Sequence, residues 1–164
     1  GISPMILRRL LVKSDSTIKD LHYIIQIVMG WEDIHIHYFT IHGQQYGVWK
    51  PGEMNFNTDA SAIKLSQFEF REKEKFLYEY DLSTSPVMGV WRYWWRHQIR
   101  VEAILPPSSK QTHPFCTAGK GICPPEDCGG AWGFMKFQDE FSLLDVWGVW
   151  PRLNKYSVIS HQKY

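Results

Sequence analysis

The stretch "TIKDLHYIIQIVMGWEDIHIHYFTIHG", residues 17–43, decides the fold class because its hydrophobic period changes half-way. In its first half Ile18, Leu21, Ile25 and Val28 recur at the spacing of one helix face. The Ser and Asp cluster "KSDST" supplies helix-start residues and Gly30 a stop, so a helix over about 17–29 is expected. In "DIHIHYFTIHG" the period falls to two. Ile34, Ile36 and Tyr38 then share one face of a strand, and His35, His37 and Phe39 the other. A hairpin is expected near "HGQQYG", with "YGVW" as the returning strand.

Outward from this stretch, "MILRRLLV" (5–12) reads as a strand and residues 50–60 as loop. "FREKEKF" (70–76) is a charged turn into "FLYEYDL", where Phe76, Tyr78 and Tyr80 should face the core and Glu79 and Asp81 the other side. "WRHQIRVEAIL" (95–105) alternates and is its natural antiparallel partner. Phe134, Phe137, Phe141 and Leu144 return to helical spacing, with Gly148 and Pro151 as stops, giving a second helix over about 133–146. Strands flanked by a helix near each end make an α+β class, a single domain over 1–150 with a loose tail over 151–164.

Composition sets bounds on function. A hydrophobic fraction of 44% with eight Trp belongs to folded globular chains. A balance of 18 Lys plus Arg against 17 Asp plus Glu provides no global positive field, so nucleic acid would have to be met by a local patch. The longest apolar window, "LHYIIQIVMGW", is interrupted by Gln26 and too short for a bilayer, and the start lacks the order of a signal peptide. A soluble cytoplasmic protein without membrane association is expected. Three cysteines in such a chain suggest thiols or metal ligands over disulfides.

Three stretches taken in order, "ISPMILRRLLV", residues 17–43 and "CPPEDCGGAWGF", resemble the plasmid pRiA4b ORF-3-like family, and "FLYEYDL" with "WWRHQIRVE" looks like that family's central hairpin. The resemblance covers most of residues 2–137. It implies an α+β fold, a plasmid or mobile-element setting and no established activity. It also implies a strand before "ISP", which this chain is too short at its start to contain whole. Some relatives carry a transposon-resolvase label, for which no serine- or tyrosine-recombinase constellation is present. Where the family runs through an aromatic-Gly-Asp turn, this chain has the Trp-rich "LSTSPVMGVWRYW" (82–94), and beyond Gln138 the family pattern is not recognisable.

Candidate chemistry falls in three places. Cys116, Cys123 and Cys128, with His113, are soft ligands that suit a zinc site, although their C-x6-C-x4-C order is not the paired short spacing of zinc knuckles. Against zinc stands a purely structural reading. Pro124 and Pro125 start a single helical turn, Glu126 and Asp127 satisfy its free amides, and Gly129 and Gly130 end it. Secondly, His35 and His37 on one strand face, with His97 and Asp81 on neighbouring strands, would converge on a divalent metal and activate water against a phosphate ester or nucleic acid. The bland alternative is sheet-surface histidines capped by carboxylates or carbonyls. Thirdly, Trp91, Arg92, Trp94, Trp95 and Arg96 interleave cations with aromatics as single-strand binders do. A non-catalytic interaction or regulatory domain, with a nucleic-acid or protein partner, is the leading expectation; a metal-dependent hydrolase is the alternative.

Overall fold

A computed structural model of the chain describes residues 2–47, 58–82, 94–107 and 112–146, the last six of these by backbone alone. Strand β1 (Leu7–Leu11) leads into helix α1 (Ile18–Met29), then β2 (His37–Ile41), β3 (Gln44–Tyr46) and a 3-10 turn at Leu65–Phe68. After it come β4 (Lys75–Tyr80), β5 (Trp95–Arg100), β6 (Phe115–Lys120) and α2 (Gly130–Val146). The strands form an antiparallel sheet in the order β3-β2-β4-β5 and a separate antiparallel pair, β1-β6.

Helix α1 begins where expected because its free amides are all spoken for. The Thr17 hydroxyl accepts from the Asp20 N–H at 3.0 Å while the Asp20 carboxylate accepts the Thr17 N–H at 2.8 Å, a reciprocal capping box. The Ile18 and Lys19 amides donate to the carbonyls of Ile63 and Ala60, which ties the loop before the 3-10 turn to the helix start. At the far end the Gly30 and Trp31 amides both return to the Gln26 carbonyl.

One face of α1 buries Ile18, Leu21, Ile25 and Met29 against the inner face of the four-stranded sheet. Each of these contributes roughly 1.5–3 kcal/mol of gross burial. The sheet answers with three cross-strand rows fixed by register. They are His37–Tyr80–Trp95, Phe39–Tyr78–His97 and, toward the hairpin end, Phe76–Ile99. Phe76, Tyr78 and Tyr80 are buried as the alternation predicts, and Phe134 of α2 closes the core.

Several elements differ from expectation. Strand β2 starts at His37, not Ile34, because the Ile34 and His35 amides leave the ladder to donate to the Tyr80 hydroxyl at 3.1 and 3.4 Å. Ile34 is consequently exposed. The return strand already begins at Gln44 and is seen over Gln44–Tyr46, because the turn takes only His42 and Gly43, both at positive φ; Val48 and Trp49 of "YGVW" lie outside the described residues. The stretch 116–130 that carries the three cysteines opens as strand, residues 116–120 of it belonging to β6. Every residue of β6 is exposed and its sequence does not alternate, so pairing with β1 alone holds it. Helix α2 opens at Gly130, three residues early, and Phe137 is exposed, so only Phe134 of the expected stripe is seen in the core. The side chains of Phe141 and Leu144, the stops at Gly148 and Pro151, and the tail over 151–164 lie outside the described residues.

The two-stranded pair is anchored by Arg8. Its guanidinium donates to the Lys120 carbonyl at 3.0 Å, the Gly121 carbonyl at 2.9 Å and the Cys123 sulfur at 2.7 Å.

Because the capping box and the loop 60–63 share the start of α1, Thr17→Ala is expected to cost about 1 kcal/mol. Urea unfolding of the two proteins measures it; an unchanged midpoint would mean the loop contacts alone fix the helix start.

Candidate functional site

Polar groups gather where the end of α1, the loop 31–36, the ends of β2, β4 and β5, and the loop 122–129 meet. His22 and Gln26 sit on the buried face of α1, four residues apart. The His22 Nε2 lies 2.8 Å from the Asp33 carboxylate and its Nδ1 2.9 Å from the Tyr78 hydroxyl. A carboxylate only accepts, which puts the proton of a neutral His22 ring on Nε2 and leaves Nδ1 to accept from Tyr78. Tyr78 in turn accepts from the Gln26 amide at 2.9 Å, and the Asp33 N–H donates to the Gln26 carbonyl oxygen at 3.1 Å. Gln26, Tyr78, His22 and Asp33 thus close a ring of four hydrogen bonds in which each donor has one acceptor.

A second network joins the loops. The Tyr80 hydroxyl donates to one Glu126 oxygen while the other accepts the Glu32 N–H at 2.7 Å. The Trp31 indole donates to the Pro124 carbonyl at 2.9 Å and stacks on Tyr80 with ring centroids 5.0 Å apart. Beside it His35 stands between two acids, with Nδ1 3.4 Å from Asp81 and Nε2 2.6 Å from Asp127. Burial holds both tyrosines well above their usual range, with Glu126 adding to the effect at Tyr80, so each hydroxyl keeps its proton.

The three aspartates that face His22 and His35 share an uncommon backbone. Asp33, Asp81 and Asp127 all have left-handed φ, at 58°, 59° and 60°. Asp tolerates this conformation better than most residues, but each instance still costs free energy that the surrounding contacts must offset.

The sequence-predicted residues are distributed differently from expectation. His35 and His37 do not share a strand face, since His35 precedes β2. His37 instead stacks on His22 with centroids 3.4 Å apart and planes 5° from parallel. His97 stays apart from both, its ring packed on Trp31 and Tyr78 at 5.4 and 5.5 Å. Asp81 is drawn in toward His35 because its positive φ breaks the alternation of β4, while Glu79 on the outer face is buried under Arg96 and the Tyr38 hydroxyl. Burial first, and the Glu79 carboxylate second, push Tyr38 up to about 12.

Among the described residues two sets of three groups bring ligand atoms within 4.8 Å of one another: His22, Asp33 and His37, and His35, Asp81 and Asp127. Neither includes a cysteine or His97. Cys116 is exposed on β6, and Cys123 lies against Val28, Met29 and Arg8. Cys128 sits at the start of α2 with its thiol pKa raised mainly by burial. The first set is ill-suited to one ion, because lone pairs of parallel stacked rings do not converge.

The loop 124–129 holds a turn at Glu126 and Asp127 and not a helical one. Glu126 and Asp127 do not cap their own amides; they bind Glu32, Tyr80 and His35 across the fold. Gly129 and Gly130, at φ 88° and 67°, start α2 instead of ending a turn. Gly133 then passes so close to the loop that a Cβ there would lie 2.0 Å from the Cys128 carbonyl oxygen. Of the Trp-rich stretch, Trp91 and Arg92 lie outside the described residues. Trp95 is buried on the inner face near Trp31, and Trp94 stacks with Arg96 at 4.7 Å.

This clasp of "WEDIHIHYF", "FLYEYD" and "CPPEDCGG" is built from stretches that a single family model spans over residues 1–143. The chain belongs to the plasmid pRiA4b ORF-3-like family. Among relatives of this ORF-3-like domain is the uncharacterized protein y4hQ of Sinorhizobium fredii (strain NBRC 101917 / NGR234), 28% identical over 141 residues. The match takes in 83% of this chain and 66% of y4hQ, so the chain spans about two thirds of that relative's length. The crystal structure of MM3350 from Methanosarcina mazei Go1, described as a protein of unknown function, superposes with a TM-score of 0.71 at 32% identity. That superposition covers 90% of this chain and 83% of MM3350. No helix among the described residues is long and apolar enough to cross a membrane.

Sequence reasoning did not find His22, Asp33, Trp31 or Gly133. His22 and Gln26 were detectable as polar residues four apart inside an apolar helical stripe; Asp33 and Gly133 carry no comparable local signal.

Two outcomes follow from this packing. Burial lowers the His97 pKa to about 4, so the ring is neutral in the folded protein, and its contribution is complete above the unfolded value near 6.5 and lost as pH falls toward 4. Urea midpoints between pH 7 and pH 4 should therefore fall less in His97→Gln, by up to about 3 kcal/mol. Gly133→Ala, facing a backbone oxygen that cannot yield cheaply, is expected to destabilise by roughly 1–3 kcal/mol in thermal or urea unfolding.

Proposed function

We propose that this ORF-3-like domain is a non-catalytic interaction module, cytoplasmic and of mobile-element origin, in which the buried polar cluster is structural and the outward face of the four-stranded sheet makes the contact. The observation that carries this reading is the use of the acid–base groups. Both nitrogens of His22, both nitrogens of His35, both oxygens of Glu126 and the hydroxyls of Tyr78 and Tyr80 are engaged within the protein. Groups committed to holding three loops together are poorly placed to take a proton from a substrate. The plasmid in the family's description supports the mobile-element setting.

One observation favours a second reading, a metal-dependent hydrolase acting on a phosphate ester. The 3.4 Å between His35 Nδ1 and Asp81 Oδ1 is long for a charged hydrogen bond and suits two ligands of one divalent ion such as zinc, with Asp127 orienting the ring from the opposite nitrogen. His35 and Asp81 would hold the ion, which would supply an activated water.

A phosphodiesterase assay on bis(p-nitrophenyl) phosphate with zinc, manganese or magnesium separates the two. The interaction module gives no turnover with any of them, and His35→Ala changes only stability. Metal-stimulated turnover that disappears in both His35→Ala and Asp81→Asn would replace it with the hydrolase.

A further inference from the structure

The outward face of the four-stranded sheet carries charge that the fold does not require. Lys75 of β4 and Arg100 of β5 are direct cross-strand partners, both exposed. Like charges placed opposite each other on one sheet face are destabilising. Two residues along β5, Gln98 points the same way, and two further on is Arg96. The only carboxylate that β2, β4 and β5 place on this face is Glu79, and it is buried, accepting from the Arg96 guanidinium at 3.1 Å and from the Tyr38 hydroxyl. The exposed charged groups on the strands themselves are therefore cations; just past β5, Glu102 is in phase with Arg100 and acts on it, but its carboxylate is taken up in an ion pair with Arg9.

Aromatic surface lies at the same end as Arg96. Trp94, one step before β5 and in phase with Arg96, stacks with its guanidinium at 4.7 Å, and Tyr38 lies across β4 from Arg96 with its ring partly buried. The spacing along β5 also matters. Arg96, Gln98 and Arg100 stand about 6–7 Å apart, two strand residues each, comparable with the phosphate repeat of an extended single strand.

We infer that this face, with Lys75, Arg96 and Arg100 as phosphate contacts and Trp94 as a stacking platform, binds single-stranded nucleic acid. The inference rests on the interaction-module reading and names its partner class. A phosphate seated between Lys75 and Arg100 removes their mutual repulsion, which makes the pair more favourable with ligand than without. A protein partner fits less well, because interface cores are apolar and aromatic anchors fill pockets, whereas the middle row of this face is Gln45, Thr40, a partly buried Leu77 and Gln98. Single-strand binders instead combine backbone-tracking cations with aromatic faces that accept any base.

The test is fluorescence anisotropy with a labelled oligothymidylate of about 20 nucleotides, with heparin as a competing polyanion without bases. Three phosphate contacts at about −0.7 each give a salt slope near −2, a roughly 15-fold to 20-fold loss of affinity from about 50 to about 200 mM salt. The double variant Lys75→Glu/Arg100→Glu should bind at least tenfold more weakly with a shallower slope, and Trp94→Ala should lose affinity for the oligonucleotide but not for heparin. Lys75→Gln/Arg100→Gln, which only removes exposed charge, repeats the first comparison should the reversed charges impair folding, as judged by circular dichroism. Absence of salt-dependent binding, or binding unchanged in both double variants, overturns the inference. Oligonucleotide and heparin binding that are equally indifferent to Trp94→Ala mean a general polyanion surface, which also overturns it. Any of these results without phosphodiester turnover leaves the interaction module standing with a different partner; metal-stimulated turnover is what removes that reading.

Discussion

The carboxylate of Glu126 joins parts of the chain that sequence order keeps far apart. One oxygen takes the Tyr80 hydroxyl from the sheet and the other the Glu32 amide from the loop after α1. Around this clamp, Tyr80 also receives the amides that would otherwise have extended β2, and Trp31 reaches the Pro124 carbonyl beside it. Removal of the carboxylate would leave a buried hydroxyl and a backbone amide to find new partners in a low-dielectric setting, where an unmade hydrogen bond costs about 1–3 kcal/mol. The start of β2, the placement of His35 and the approach of the loop 122–129 to the sheet all depend on it.

What the clamp supports is a polar core unusual for a small domain. Charged and polar residues are rarely buried unless their hydrogen-bonding capacity is met, and here the ring of Gln26, Tyr78, His22 and Asp33 meets it with one donor for each acceptor. Left-handed backbone at Asp33, Asp81 and Asp127 aims three carboxylates at two imidazoles from three separate loops. Such strain persists only where neighbouring contacts over-determine it, and the stacked His22–His37 pair and the Trp31–Tyr80 stack provide those contacts.

Much of the fold was legible because its signals are local. The period of α1, its cap, the alternation of β4 and β5 and the family-specific order of motifs all lie within short windows, and each corresponds to an element in the structure. Strand β6 was not legible: it is exposed throughout, its apolar and polar residues do not alternate, and only β1, more than a hundred residues away in sequence, makes it a strand. The site was half legible. His35, Asp81, Glu126 and Asp127 stand out by type, but alternation alone assigns His35 to the wrong face, since it cannot know that Tyr80 will capture the amides of residues 34 and 35. Cysteines clustered in sequence are spread over a strand, the back of α1 and the start of α2, because spacing along a chain says little once a strand and a turn intervene.

The hold of Arg8 on Lys120, Gly121 and Cys123 bears on how the domain comes apart. The β1-β6 pair has no second neighbour on either side among the described strands, whereas the other sheet is four strands wide and backed by α1. A pair so exposed opens at a free energy well below that of the whole domain unless something ties it down. Arg8 is that tie, and the residues it grips lead directly into the loop carrying Glu126. Only a few residues of chain separate the ribbon from the clamp that organises the core, so loosening of the outermost strands is passed on to the loop that carries Glu126.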